Sequence, residues 1–282
     1  MTDGGEGGRA AVIGGGTMGA GIAQVLLEAG CEVVLIEADA EAAERARGRV
    51  VDGLGRRKNT APEEIEARAG RLRTGTGLAG PLDVELVVEA IPEIPAAKRD
   101  LLAAAEKVSP PTTLLASNTS SLSITELAGA LERPERFIGM HFFNPVPLSA
   151  LVELVVGDAT GQEAIDDARQ WVARLGLESI QVRDAPGFAT SRLGVALGLE
   201  AIRMVEEGVA TPADIDAGMV LGYKHPMGPL RLTDLVGLDV RLAIAEHLAS
   251  TLGPRFEPPQ LMRDKVANGE LGKKSGRGFY EW

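Results

Sequence analysis

The sequence predicts an α/β protein in two parts: a doubly wound, mostly parallel sheet over residues 9–185, then an all-α domain over residues 186–282. Short apolar runs alternate with stretches of helical spacing as far as Val182, which is the signature of strand–helix–strand units. The first apolar run ends in Gly14-x-Gly16-x-x-Gly19, a turn that closes a strand and opens a helix. Beyond Asp184-Ala185-Pro186-Gly187 the helix signals continue and no convincing strand follows.

Taken in order, residues 1–8 are Gly-rich and acidic with no apolar stretch, and are expected to form a disordered tail and not a signal peptide. Ala10–Ile13 is the first strand and Thr17–Ala29 the first helix. In that setting the glycine motif reads as a Rossmann-type dinucleotide fingerprint. Gly14 permits the tight turn, Gly16 lets backbone approach a pyrophosphate, and Gly19 lets the helix pack close to the strand. Glu32–Ile36 is the second strand, and Glu37 stands at its end, where an acid grips the ribose hydroxyls of NAD. Ala40–Leu72 reads as helix, broken near Asn59–Pro62. Its Arg56-Arg57-Lys58 run is either a solvated face or a perch for ligand phosphates. Leu86–Glu89 is a buried strand followed by Glu93, and Leu114–Ser117 is another, followed by the small polar cluster Asn118-Thr119-Ser120-Ser121. That cluster caps the helix at Ile124–Ala130 and also offers a polar rim to a cofactor. Glu163–Leu175 is helical and Ile180–Val182 a last strand. In the second part, Ser191–Glu207 is apolar on most sides, which places it in a core or a subunit interface. Thr211-Pro212-Ala213-Asp214 is a helix start, and Val240–Thr251 and Gln260–Asn268 complete the domain.

The net charge of −11 argues against nucleic acid as a partner, because phosphate backbones need a basic face. The single Cys31 cannot form an internal disulfide, no cluster has metal-ligand spacing, and no apolar run is long enough to span a membrane. A cytoplasmic protein is expected.

The chemistry is expected around His141-Phe142-Phe143-Asn144-Pro145-Val146-Pro147. A His on an apolar strand is most often a satisfied core residue. Here Phe137–Met140 reads as a buried strand with His141 at its end, the place where open sheets bind ligands. The next strand, Leu151–Val156, contains Glu153 as its one charged residue. A buried carboxylate needs a partner, and an imidazole held by a carboxylate is a general base. Asn144 adds an amide that both donates and accepts.

These motifs resemble the L-3-hydroxyacyl-CoA dehydrogenase family, of the short 3-hydroxybutyryl-CoA dehydrogenase type. The resemblance runs from Ala10 to Trp282, through Gly14–Gly19, Val87–Glu93, Ser117–Leu122, His141–Pro145, Asp184–Phe188, His225-Pro226-Met227-Gly228-Pro229 and Gly276–Tyr280. It implies NAD-dependent, reversible oxidation of an (S)-3-hydroxyacyl-CoA by a homodimer built on its helical, substrate-binding half. His141 matches the catalytic base and Glu153 the carboxylate that orients it. Ser120 and Asn144 match residues that touch substrate and nicotinamide. Gly14, Gly15, Gly16, Thr17, Met18 and Gly19, with Glu37, Glu93, Lys98 and Lys274, match cofactor contacts. Lys58 matches a lysine that meets the coenzyme A moiety. Two departures stand out: Ser191 where the family often has Asn, and Leu148-Ser149-Ala150 where it often has Lys after Pro-Val-Pro. The rival readings are a dehydrogenase of sugar acids on the same fold, and a dinucleotide-binding protein without turnover.

Overall fold

The structure, a computed structural model, describes residues 7–57, 60–78 and 80–282. The chain divides into two compact units between Asp184 and Ala185.

In the first unit the strands are β1 (Arg9–Ile13), β2 (Glu32–Glu37), β3 (Leu72–Thr76), β4 (Leu86–Glu89), β5 (Leu114–Ser117), β6 (Phe137–Phe142), β7 (Leu151–Val156) and β8 (Glu178–Arg183). They form one sheet in the order β3-β2-β1-β4-β5-β6-β7-β8. All pairs are parallel except β6–β7, which is antiparallel. The helices are α1 (Thr17–Glu28), α2 (Ala40–Gly55), α3 (Pro62–Ala69), α4 (Pro95–Val108), α5 (Ile124–Ala128) and α6 (Gln162–Arg174). Strand order reverses between β1 and β4, so the crevice past their carboxyl ends is the switch point where such sheets take ligands. Central strands β4, β5 and β6 are buried along their whole length, as strands covered on both faces must be.

Three expectations are corrected here. Leu72 begins strand β3 instead of ending a helix: Leu-Arg-Thr-Gly-Thr buries only Leu72 and pairs on one edge with β2, so it carries no apolar pattern. Strand β8 is twice the expected length, because its exposed edge residues are held by pairing with β7 and not by burial. At the amino end, Gly8 is tied to the sheet through its carbonyl, which accepts from the Glu32 amide at 3.0 Å. Residues 1–6 of the expected tail lie outside the described residues.

The second unit holds α7 (Thr190–Glu206), α8 (Pro212–Ala217), α9 (Pro229–Val236), α10 (Leu238–Leu252) and α11 (Gln260–Ala267). Val195, Leu199, Ile202, Leu230, Leu248 and Met262 form its core. Helix α7 buries one face and also carries apolar residues on its exposed side, where Leu193 and Leu197 are 65% and 45% exposed. The carboxyl-terminal residues are anchored by two buried acids. Asp234 accepts from the Phe279 and Tyr280 amides and from Trp282 Nε1, each at 2.9 Å. Asp216 accepts from the Leu230 and Arg231 amides and from the Tyr280 hydroxyl at 2.7 Å. Burial and this acid together push the Tyr280 phenol well above its ordinary range. Among the described residues, no helix is long and apolar enough to cross a membrane.

Candidate active site

The glycine turn sits where β1 gives way to α1. Gly14 has φ of +97°, a conformation that side chains other than hydrogen disfavour. A Cβ on Gly19 would lie 1.7 Å from the Gly14 carbonyl oxygen, so this position admits glycine alone. A Cβ on Gly16 would meet nothing within 4 Å, which leaves the amino end of α1 open above the turn. An open, positively polarised helix start fits a pyrophosphate. Thr17 opens α1, and Met18 packs against the core beneath it.

Glu37, at the end of β2, accepts from the Gly15 amide at 2.7 Å, so this carboxylate is held against the glycine turn. Arg49 of α2 donates to the Gly15 carbonyl at 3.0 Å. In the sequence Arg49 looks like solvated surface, being one charged residue in a charged helix.

A polar network lies past the ends of β4 and β5. Glu89 is fully buried and accepts from Lys98 Nζ at 2.6 Å, the Ile91 amide at 2.7 Å and Ser117 Oγ at 2.5 Å. Lys98, 1% exposed, also donates to the Ile91 carbonyl and lies 3.3 Å from Glu93. The Lys98 amine is therefore engaged inside the protein, and any influence it has on a bound molecule passes through Glu93. Glu93 in turn accepts from Thr119 Oγ1 at 2.9 Å and from the Ser120 amide at 2.7 Å, which fixes the turn that presents Ser120. Glu89 was missed as a site-shaping residue, because at the sequence level it is simply the last residue of a strand.

His141 and Glu153 face each other directly across the antiparallel β6–β7 pair. Nδ1 of His141 is 3.0 Å from Glu153 Oε2, and the two residues are 7% and 0% exposed. The ring lies against Phe143, with centroids 4.7 Å apart. Asn118 accepts from the Phe142 amide at 2.9 Å and so ties the end of β5 to the end of β6. Asn144 follows on the exposed surface of the loop, before a cis bond to Pro145.

The glycine turn, Glu37, Glu93, Ser120, His141 and Glu153 thus all belong to the first unit. Lys274 belongs to the second, where it pairs with Asp239 at 2.5 Å. Lys58 lies outside the described residues. Of the basic run beside it, Arg56 is exposed, while Arg57 pairs with Glu28 through two hydrogen bonds of 2.9 and 2.6 Å. No cluster that could hold a metal occurs among the described residues.

A dinucleotide cradle and an imidazole–carboxylate couple on one sheet define an oxidoreductase of the nicotinamide-dependent class. Comparison with known proteins narrows this. Residues 9–185 match the NAD-binding domain of 3-hydroxyacyl-CoA dehydrogenases and residues 187–282 match their C-terminal domain. The chain is 43% identical over 275 residues to a probable 3-hydroxybutyryl-CoA dehydrogenase of Bacillus subtilis, covering 96% of each. It is 41% identical over 280 residues to a 3-hydroxybutyryl-CoA dehydrogenase of Mycobacterium tuberculosis, covering 97% of this chain and 98% of that one. The solved structure of an (S)-3-hydroxybutyryl-CoA dehydrogenase from Ralstonia eutropha superposes with a TM-score of 0.90 at 37% identity, covering 97% and 98%. The chain belongs to the 3-hydroxyacyl-CoA dehydrogenase family, and its cofactor is NAD.

Proposed function

We propose that the enzyme interconverts a short-chain (S)-3-hydroxyacyl-CoA, such as 3-hydroxybutyryl-CoA, and its 3-oxoacyl-CoA, with His141 as the proton-transferring group. The observation that carries this is the buried 3.0 Å contact between His141 Nδ1 and Glu153 Oε2. A carboxylate accepting from Nδ1–H selects the tautomer whose Nε2 bears the lone pair, and Nε2 then takes the hydroxyl proton. Glu153 stabilises the imidazolium that results, and in the reverse direction the imidazolium protonates the carbonyl oxygen. Ser120 and Asn144 steady that oxygen as charge develops on it. Bound NAD supplies the hydride acceptor for oxidation and, when reduced, the donor for reduction.

Gly14–Gly19 would cradle the pyrophosphate and Glu37 the adenosine ribose. Glu93, braced by Lys98, would face the nicotinamide side, with Lys274 as a further cofactor contact and Lys58 as a contact to coenzyme A. A homodimer built on the second unit is supported by the exposed Leu193 and Leu197. A cytoplasmic location is in keeping with the single free thiol of Cys31. Oxidation of NADH by acetoacetyl-CoA, followed spectrophotometrically, tests the reading directly. Absence of turnover by folded protein would sink it.

A further inference from the structure

Glu89, the last residue of β4, is fully buried, and both of its carboxylate oxygens are engaged. Oε1 accepts from Lys98 Nζ at 2.6 Å and from the Ile91 amide at 2.7 Å, and Oε2 accepts from Ser117 Oγ at 2.5 Å. Replacing a buried ion pair by apolar residues of similar volume often costs nothing or stabilises, so packing alone does not call for an acid here.

The contacts beyond the carboxylate do. Two polar routes leave it and end on the same turn. One runs through Ser117 Oγ, which accepts from the Thr119 amide at 3.3 Å. The other runs through Lys98 to Glu93, 3.3 Å away. Glu93 Oε1 then accepts from Thr119 Oγ1 at 2.9 Å, the Ser120 amide at 2.7 Å and Ser120 Oγ at 3.3 Å. Thr119 Oγ1 in turn accepts from the Ser121 and Leu122 amides, which closes the turn around Ser120. The backbone of Glu89 makes a separate link. Its carbonyl accepts from the Asn118 amide at 2.8 Å, and Asn118 Oδ1 accepts from the Phe142 amide beside His141.

We propose that Glu89 is the positioning residue for Ser120, acting through Lys98 and Ser117 without touching substrate or cofactor; this rests on the role given to Ser120 above. With Glu89 neutralised, Lys98 keeps one acid, Glu93, and draws that carboxylate inward, away from the Thr119–Ser120 turn. The Ser120 hydroxyl then loses its fixed place. His141 keeps its own, because Asn118 is held by the Glu89 backbone and Glu153 by strand pairing.

The test compares wild type, Glu89→Gln, Ser120→Ala and the double variant, with thermal melts to establish folding. One arm measures kcat and KM for reduction of acetoacetyl-CoA by NADH. The other measures backbone hydrogen exchange over residues 118–122 in the protein alone. Glu89→Gln should lower kcat about tenfold, as for one misplaced hydrogen bond, with little change in KM, and should speed exchange of the Ser120 amide. On the Ser120→Ala background the same change should cost almost nothing further, because the hydroxyl it positions is gone. A purely structural role would lower kcat by the same factor in both backgrounds. Ser117→Ala cuts one route and leaves the ion pair whole; it should show the same pattern at smaller size, and it takes the place of Glu89→Gln if that variant does not fold. An unchanged kcat, losses that multiply in the double variant, or unchanged exchange overturns the proposal. If wild type does not turn over acetoacetyl-CoA, the reaction falls, and exchange alone then decides whether Glu89 holds the Ser120 turn.

Discussion

Replacing Glu153 with Gln keeps the shape of the β7 side chain and removes its charge. With Nδ1 and Oε2 3.0 Å apart, a full imidazolium–carboxylate attraction is worth roughly 5 kcal/mol at an effective dielectric near 20. About half that charge is developed when the proton is half transferred, so the variant should lose roughly 2–3 kcal/mol of transition-state stabilisation. That is a fall on the order of 10² in kcat. His141→Gln should cost on the order of 10² to 10⁴ through loss of the general base. Once the imidazole is gone the carboxylate has nothing to orient, so the double variant should be little slower than His141→Gln alone. The assay is oxidation of 3-hydroxybutyryl-CoA by all four proteins, with thermal melts to establish that each folds. Losses that multiply in the double variant would detach Glu153 from the chemistry. An undiminished rate in His141→Gln would remove the mechanism.

NAD should be preferred over NADP by a factor on the order of 10² in kcat/KM, since Glu37 repels a 2′-phosphate; steady-state kinetics with both cofactors check this, and a preference for NADP refutes it. The protein should sediment as a dimer at micromolar concentration, and Leu193→Glu with Leu197→Glu should yield a monomer; a wild-type monomer overturns the interface. Burial alone would raise the Glu28 carboxyl, but hydrogen bonds from Arg57 and Gln24 outweigh it and hold the pKa below its ordinary value. The stability this pair contributes is present above the ordinary carboxylate range and is lost as pH falls through the lowered value. Arg57→Met should therefore cost about 1 kcal/mol near neutrality and much less once pH has fallen below the lowered carboxyl pKa, read from urea melts at several pH values. A difference that persists in acid would remove the ion pair as its cause.

What the sequence showed and hid follows from how each residue is held. Strands β1, β2, β4, β5, β6 and β7 were legible because burial writes apolar runs, and His141 and Glu153 stood out as polar residues inside or beside such runs. Strand β3 was not, because an edge strand with only Leu72 buried is held by backbone pairing, which leaves no mark on composition. The bracing of Glu93 was hidden because Glu89, Lys98 and Ser117 meet only through the packing of α4 against the sheet.

The pairing of His141 with Glu153 is a matter of strand register. Residue 141 of β6 lies opposite 153 of β7, and β7 is also locked from its other side by β8. The connecting loop does not set the distance between the two groups. Val146 is fixed by its burial against α1, but the exposed Leu148 and Ala150 can change without separating His141 from Glu153. Such an arrangement lets the tip of the hairpin vary while strand pairing keeps residues 141 and 153 side by side.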